Sequence, residues 1–278
     1  MSDHLNEGRV TKPPEGEAQA QVEPVRAWGV WERVIGMFVR PRATFQTLKA
    51  HPTWLVALFL LAGSTMVLQL VYITRVPYAM RWEANLEKTI KINRKLGMDP
   101  QEEQYLRQEY ARQAQRGETS LQKLWQGVVI PLINWLMIVV VGAALYQVGA
   151  LLARDRLLFK RALAVRAYAE MPPTIVLSLF LIIQMVLSAP EEVVDYKGLV
   201  RGNLGILIEN PDAHVVLTTI ANHLDLFQFW SVGLAALGLS VMLEKAKRWV
   251  AVGIAGGVWL LGVLVKIAIN SAAGVVIV

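Results

Sequence analysis

The chain has no cysteine, and this absence excludes disulfide bonds and thiolate metal sites. Only four of its 278 residues are histidine, and no HExxH or similar metal-ligand spacing occurs. Glycine-rich phosphate loops and Ser/His/Asp arrangements are not recognisable either. The sequence therefore predicts a protein that has no cofactor and no metal site and is not an enzyme.

Acidic residues are in the minority, with 22 Asp and Glu against 28 Lys and Arg. A net charge of +6 would suit a nucleic-acid partner. The Lys and Arg residues gather beside apolar stretches, however, where they would meet the anionic headgroups of a cytoplasmic leaflet. We therefore expect these charges to face a lipid bilayer and not a nucleic acid.

Five long apolar stretches separate the charged segments, and the mean hydropathy of the chain is +0.39. A hydrocarbon core about 30 Å thick needs roughly 20 helical residues to cross it. The sequence therefore predicts an all-α polytopic membrane protein, a five-transmembrane-helix bundle over residues 53–277. The predicted spans are about 54–74, 127–152, 164–187, 226–243 and 250–274.

The segment before the first span divides into two parts. Residues 1–26 are polar and lack the apolar core of a signal peptide, so we expect a disordered tail. Residues 27–52 predict two short amphipathic helices that are separated at Pro41. They lie either on the bilayer surface as interfacial helices or on the helix bundle as a cytoplasmic cap. The pattern leaves both placements open.

The apolar face of the first amphipathic helix has a clear helical period. Its members follow the spacing i, i+3, i+4, i+7, whereas Arg33 and Arg40 lie off this face. The predicted membrane-surface residues are Trp31, Val34, Ile35 and Phe38.

Residues 76–125 contain nine Lys or Arg and seven Asp or Glu. Asp99-Pro100 is a favourable helix start, because Asp caps the amide groups and Pro suits the first turn. We therefore expect a charged extramembrane helical hairpin that projects from the membrane and whose arms continue the first two spans. It is either a solvated surface or a docking element for a partner.

The short links between spans set the predicted orientation. Links 153–163 and 244–249 are basic, whereas the connection 188–225 is acidic. Because short cytoplasmic links are enriched in Lys and Arg, we expect a cytoplasmic N-terminus and a C-terminus on the outer side.

Arg166 and Glu170 are one helical turn apart in the third span, where polar groups are costly and often functional. The pair is either a proton or substrate site at a broken helix or a salt bridge that fixes the packing of the bundle. Pro172-Pro173 follows one turn later and predicts a kink or break, because proline removes an amide donor.

Lys266 and Asn270 form a second such pair in the last span. They are placed to face Asp225 or a cavity, unless Lys266 extends to the interface. For Asp225, we favour the role of N-cap of the fourth span over a metal site with the nearby histidines.

Small residues in the last two spans predict close helix packing. Gly253 and Gly257 form a GxxxG pattern, and Ser231 and Ala235 are a similar pair in the fourth span. We expect these residues to seat spans four and five together. The alternative is an interface between copies of the chain.

Three blocks of the chain resemble bacterial Yip-domain proteins. At 33–61, RVIGMFVRPRATFQTLKAHPTWLVALFLL has their short amphipathic helix, Pro-containing turn and Trp-led first span. The other blocks are FKRALAVRAYAEMPPTIVLSLFL at 159–181 and HLDLFQFWSVGLAALGLSVMLEKAKRWVAV at 223–252. The resemblance covers most of 28–275, with 76–125 as an insertion, and implies a five-helix integral membrane domain.

The resemblance also implies a functional class. Eukaryotic relatives lie in endoplasmic reticulum and Golgi membranes, interact with Rab-type GTPases and take part in vesicle trafficking. Their Asp-Leu-x-Gly-Pro and Gly-Tyr patterns are missing here, since Asp225-Leu226 is followed by Phe-Gln. This difference argues against GTPase binding, and the blocks resemble prokaryotic members of an inner membrane.

These observations favour a Yip-like membrane-organising or partner-binding protein. Its partner would be another protein or a second copy of the chain. The alternative is a small transporter or channel subunit that uses the intramembrane charged residues around the proline pair. A membrane-embedded hydrolase ranks third.

Overall fold

The structure is a computed structural model that describes residues 28–194, 196, 203–211 and 213–276. The described residues form twelve α-helices and no β-strand, so the predicted all-α class is confirmed. The predicted disordered tail 1–26 lies outside the described residues.

Up to Val193, the helices follow one another with short connections. A π-helical turn, Trp125–Val129, joins α6 to α7 without interruption, and a short 3₁₀ helix, Leu204–Leu207, precedes α10. The α-helices are α1 (Val30–Val39), α2 (Pro41–Ala50), α3 (Leu55–Arg75), α4 (Tyr78–Lys95), α5 (Pro100–Arg116), α6 (Ser120–Leu124), α7 (Ile130–Leu152), α8 (Phe159–Leu187), α9 (Pro190–Val193), α10 (Val215–His223), α11 (Leu226–Met242) and α12 (Arg248–Ala273).

Four helical segments are long and apolar enough to cross a membrane, which confirms a multi-pass membrane protein. They are Leu55–Arg75, Ser120–Leu152, Phe159–Leu187 and Arg248–Ala273. The fifth expected span, α11, has 17 residues. It rises only about 25 Å at 1.5 Å per residue, against a hydrocarbon core of about 30 Å. The count of five spans therefore stays a prediction.

Helix α8 is central to the bundle and packs against α3, α7 and α11, while α12 packs against α11, α10 and α7. Helix α2 covers one end of α11. There the Phe45 ring is fully buried, and a Cβ at Gly238 would lie 2.8 Å from it. Lys49 Nζ also donates to the Val241 carbonyl at 2.9 Å. We call this end of the bundle, which holds α1, α2 and the two short links, the link end.

Helix α8 runs from Phe159 to Leu187 without interruption, so of the predicted kink or break at Pro172-Pro173 the break does not occur, and the kink stays a prediction. Both prolines are buried. Each removes only one amide donor, and neighbouring helices around a buried helix compensate for such losses in membrane proteins. The packing of the bundle therefore overrides the local effect of proline.

Helix α1 has two apolar sides and not one. Of its predicted surface residues, Trp31, Ile35 and Phe38 are exposed, but Val34 is buried with Met37 against the bundle. Arg33, expected off the apolar face, is 7% exposed and donates from Nη1 to Thr53 Oγ1 at 2.7 Å. The inner side is set by contacts with α2 and α8, which periodicity alone does not show.

Helices α4 and α5 pack side by side as a hairpin that follows α3. Ion pairs of 2.6 Å join Arg94 to Glu103 and Arg107 to Glu87 across its two arms. At its tip, Lys95 Nζ donates to the carbonyl of Gly274, just after α12. The predicted helical hairpin is present and its tip is held against the end of the last helix, while its projection from the membrane stays a prediction.

Candidate functional site

The first candidate site is a cluster of three side chains in α7 and α8. Arg166 and Glu170 lie one turn apart on α8, and their Nη1 and Oε1 atoms are 2.8 Å apart. Arg166 Nη1 also donates to the hydroxyl of Tyr146 at 3.3 Å, and its guanidinium carbon lies 5.9 Å from the centre of that ring. The cluster ties α7 to α8 at about 10 Å along α8 from its first residue.

Helix α7 approaches this cluster closely because position 142 is glycine. A Cβ at Gly142 would lie 2.6 Å from Arg166 Nε and 2.8 Å from Cδ of the same side chain. That Nε atom is buried and has no hydrogen-bond partner in the described part of the chain. The cluster neutralises two charges inside the bundle and holds two helices in register, which favours the salt-bridge interpretation.

Two of the other intramembrane polar candidates, Asn270 and Asp225, have partners of their own. Asn270 is buried in α12 and donates from Nδ2 to Thr219 Oγ1 of α10 at 2.9 Å. Asp225 is the N-cap of α11, and its Oδ1 accepts from the Phe227 amide at 2.6 Å. Lys266 is half-buried and makes no hydrogen bond with a described side chain. These contacts serve helix ends and helix pairs, and do not join Arg166 and Glu170.

Gly253 and Gly257 do not seat α12 against α11, so that prediction is wrong. Gly253 and Gly257 are exposed, and a Cβ at either position would meet no atom within 4 Å. The buried residues of α12 in this region are instead Ala251 and Ala255. The GxxxG spacing indicates a smooth helix face, but it does not show which neighbour that face meets.

Ser231 and Ala235 of α11 are both buried, within the helix that contacts α8, α12 and α2. The close approach between α7 and α12 falls elsewhere, at Gly149. A Cβ there would lie 2.7 Å from Cγ2 of Ile254. Sequence reasoning did not single out Gly149, because one glycine in an apolar span carries no spacing signal.

The site that sequence reasoning missed is Asp155, in the link between α7 and α8. Its carboxylate accepts four backbone N–H groups: Oδ2 from Glu244, Lys245 and Ala246 at 3.1, 2.8 and 2.8 Å, and Oδ1 from Arg156 at 2.7 Å. Asp155 is 4% exposed. Burial raises its pKa, but the four amide donors outweigh this and hold the pKa below its ordinary value of 3.8. We call this arrangement the Asp155 clamp.

The clamp joins the two short links across 89 to 91 residues of sequence. It follows Arg154, which adopts a left-handed backbone with φ of 57°. Such a conformation costs a non-glycine residue roughly 1 kcal/mol. The sequence does contain a signal: Asp155 is an acid between two arginines in a link that is otherwise basic.

The hairpin has a rigid base. Arg81 and Glu118 form an ion pair at 2.6 Å whose side chains are 7% and 2% exposed. Arg81 Nε also donates to the Val76 carbonyl at 3.1 Å. The rings of Tyr78, Trp82 and Tyr110 stack in sequence, with centroids 5.5 and 4.9 Å apart. The hairpin is thus fixed both at its base and along its length.

An open groove of about 660 Å³ lies at the tip of the hairpin, where α4 turns into α5. It is lined by Asn93, Leu96, Gly97, Met98, Gln101, Glu102, Tyr105 and Leu106. Leu96 and Tyr105 are 65% and 66% exposed. The groove combines apolar side chains with amides and a carboxylate, outside the four segments that are able to span a membrane. We call it the tip groove.

No group of three or more His, Asp or Glu residues is close enough to hold a metal ion among the described residues.

Among families of known proteins, the Yip1 domain matches residues 35–269, most of the chain. No curated protein and no solved structure matches the chain.

Proposed function

The chain belongs to the Yip1-domain family, and from this membership we propose that it is a membrane-organising component that binds another protein and has no catalytic activity. The tip groove is the observation that carries this proposal. It is the place where we expect the partner to dock, and the spans anchor it beside the bilayer.

The tip groove has the features of a protein-docking surface. Leu96 and Tyr105 offer exposed apolar area, and Asn93, Gln101 and Glu102 supply polar groups around it. Interfaces of this kind combine an apolar or aromatic centre with a polar rim. The exposed apolar side chains therefore favour docking over the alternative of a purely solvated hairpin.

The rigidity of the hairpin supports the same function. Both arms are cross-linked by ion pairs of Arg94 and Arg107, and the tip is tied to Gly274. A surface that is already ordered loses less conformational entropy when a partner binds. This favours binding without a large rearrangement of the hairpin.

The intramembrane charges support a partner-binding protein over a transporter. Glu170 pairs with Arg166, and Arg166 also contacts Tyr146 of the neighbouring helix. A transport site would use such groups to bind an ion or solute. Here the two charged groups bind each other within α8, and Arg166 also bonds to α7 through Tyr146.

We further propose five spans, a prokaryotic inner membrane, a cytoplasmic N-terminus and a C-terminus on the outer side. Basic links at the link end support this orientation through the preference of short cytoplasmic loops for Lys and Arg. The helices of 27–52 then lie at the cytoplasmic surface, with exposed Trp31, Ile35 and Phe38 against lipid. The tip groove faces the outer side.

A photocrosslinking experiment tests this proposal. A photoreactive residue at Tyr105 of the full-length protein in native membranes is expected to capture one defined protein. The control is Ala111, which is exposed on α5 about 150° away from the groove-lining side at 100° per residue. Equal capture from both positions, or capture of only a second copy of the chain, would overturn the proposed docking site.

Flux measurements separate the transporter alternative. In proteoliposomes, we expect wild type and Glu170→Gln to show the same solute and ion leakage as empty vesicles. A flux that wild type supports and Glu170→Gln abolishes would contradict the proposal.

A further inference from the structure

The link end carries exposed cations from both short links, which the Asp155 clamp bonds to each other. The link after α7 and the first turn of α8 supply Arg154, Arg156 and Lys160, and the link before α12 supplies Lys245, Lys247 and Arg248. None of these six side chains forms an ion pair with a described residue. We call this surface the basic link face.

The acidic residues of these links do not neutralise the basic link face. The carboxylate of Asp155 is turned inward and is bonded to four backbone N–H groups. Glu244 lies 3.5 Å from Arg161, which is outside the set of six. Neither acid therefore forms an ion pair with any of the six cations, and the positive charge of the basic link face is not balanced by these two carboxylates.

Exposed apolar side chains lie next to the cations in sequence, where α8 and α12 begin. Leu158 and Phe159 are exposed beside Lys160, and Trp249 is 70% exposed beside Arg248. Aromatic residues next to Lys and Arg at helix ends are typical of the lipid headgroup region. The position of the face is thus set by the ends of α7, α8 and α12.

We propose that the basic link face binds the phosphate-bearing headgroup of an anionic phospholipid. Charge complementarity carries this choice, because six unpaired cations lie where span ends meet the headgroups. The flanking apolar side chains would contact the upper acyl chains of the same lipid. A lipid presents a charged headgroup next to acyl chains, which matches cations that are flanked by exposed Leu158 and Phe159.

The Asp155 clamp gives the site its shape. By bonding Glu244, Lys245 and Ala246, the carboxylate holds the second link against the first. It therefore keeps the cation-bearing links next to each other at the link end. An unclamped pair of links would carry the same cations, but spread over more positions. A negative charge thus builds a site for negatively charged lipid.

The role of Asp155 distinguishes two explanations of lipid binding: a site whose cations are positioned by the fold, and simple attraction between opposite charges. Asp155→Asn removes one negative charge and so raises the net charge of the link end by one unit. Simple attraction then predicts tighter binding of anionic lipid, whereas the loss of the clamp predicts weaker binding. The two explanations therefore predict opposite signs for the same substitution.

The test uses the full-length protein in phosphatidylcholine vesicles with trace spin-labelled phosphatidylglycerol or spin-labelled phosphatidylcholine. The ratio of protein-bound to free label gives the selectivity for the anionic lipid. We expect Lys245→Gln/Lys247→Gln to lower this selectivity, by up to about fivefold per cation removed. Asp155→Asn is also expected to lower it. The matched control is Arg112→Gln/Arg116→Gln, which removes two exposed cations from α5 and leaves the selectivity unchanged.

Several results would overturn the proposal. They are no selectivity in wild type, an equal loss in the α5 control, or a selectivity that Asp155→Asn leaves unchanged or raises. Displacement of the labelled lipid by soluble polyglutamate would assign the face to an acidic protein segment instead. The lysine variant decides the matter alone if Asp155→Asn does not fold, because both lysines are exposed.

Discussion

The substitution Asp155→Asn changes few atoms and removes the centre of the Asp155 clamp. Three of the four amide donors bond to Oδ2, and one bonds to Oδ1. In Asn, one oxygen remains an acceptor and the other position becomes a donor. If the oxygen faces Glu244, Lys245 and Ala246, the new NH₂ group points at the amide of Arg156.

The free energy that Asp155→Asn removes from the clamp follows from the number and kind of the hydrogen bonds it changes. A hydrogen bond to a charged group contributes roughly 1.5–3 kcal/mol, and a charge-assisted bond is about twice as strong as a neutral one. Asp155→Asn weakens three bonds and loses the fourth. The link end borders solvent and headgroups, where part of the loss is recovered by water. We therefore expect local opening of the clamp to become easier by about 2 kcal/mol.

Hydrogen exchange of the link before α12 measures this directly. At 1.4 kcal/mol per tenfold change, a loss of about 2 kcal/mol makes exchange about 30-fold faster. The affected amides are those of Glu244, Lys245 and Ala246, in lipid nanodiscs that contain the full-length protein. The turn between α4 and α5 serves as an internal control, whose exchange stays the same.

The stabilising effect of the Asp155 carboxylate depends on pH, and the direction of its pKa shift gives the sign of this dependence. Because the pKa of Asp155 is lowered in the folded protein, its stabilising effect is complete above the ordinary pKa of 3.8. The effect is lost only as the pH falls through the lower folded pKa. The difference between wild type and Asp155→Asn is therefore expected to be constant from pH 5 to 8. Equal exchange rates of the three amides in both proteins would refute the clamp.

Three further experiments test other parts of the structure. Gly238→Ala is expected to lower the free energy of unfolding by about 1–3 kcal/mol, because its Cβ would lie 2.8 Å from the buried ring of Phe45. Gly253→Ala is expected to change the free energy of unfolding by less than about 0.5 kcal/mol, because its Cβ would meet no atom within 4 Å. Glu170→Gln is expected to lower the free energy of unfolding by about 3–5 kcal/mol, because Arg166 loses its charged partner. In the double variant, Arg166→Met is expected to restore most of this loss. Additive losses from the two substitutions would contradict the ion pair. The hydrogen bond from Arg94 lowers the pKa of Glu103 to about 2, although burial acts in the opposite direction. Glu103→Gln is therefore expected to speed hydrogen exchange in the hairpin. The difference from wild type is full above pH 4.5, the ordinary pKa, and disappears as the pH falls toward 2.

The membrane class and four long spans were predictable because they depend on composition averaged over about 20 residues. The structure places these helices close to the apolar stretches of the sequence, and Leu55–Arg75 begins one residue after Trp54. The fifth, α11, is apolar but short, and hydropathy does not measure how much of a helix is covered by protein. Helix α2 covers one of its ends through Phe45.

The helix faces were less predictable than the helices. A GxxxG pattern shows that backbones are able to approach, yet Gly253 and Gly257 are exposed while Gly142 and Gly149 make the close approaches. The continuous path through Pro172-Pro173 likewise depends on burial by neighbours that lie far away in sequence. Such choices are set by tertiary contacts that a single periodic pattern does not encode.

Side-chain pairs within one helix were predictable, and contacts between links were not. Arg166 and Glu170 share a helix face by spacing alone, and they do form an ion pair. Asp155 bonds to amides 89 to 91 residues away, so nothing local points to its partners. Its basic surroundings were visible in the sequence, but the backbone donors were not.

Binding of another protein in the tip groove is tested by the effect of Leu96→Asp on photocrosslinking from Tyr105. Leu96 is 65% exposed in the groove, so the substitution adds a charge at its apolar centre without disturbing the bundle. We predict that Leu96→Asp abolishes capture of the partner, while Ala111→Asp on the other side of α5 leaves the yield unchanged. An unchanged yield with Leu96→Asp would contradict the account.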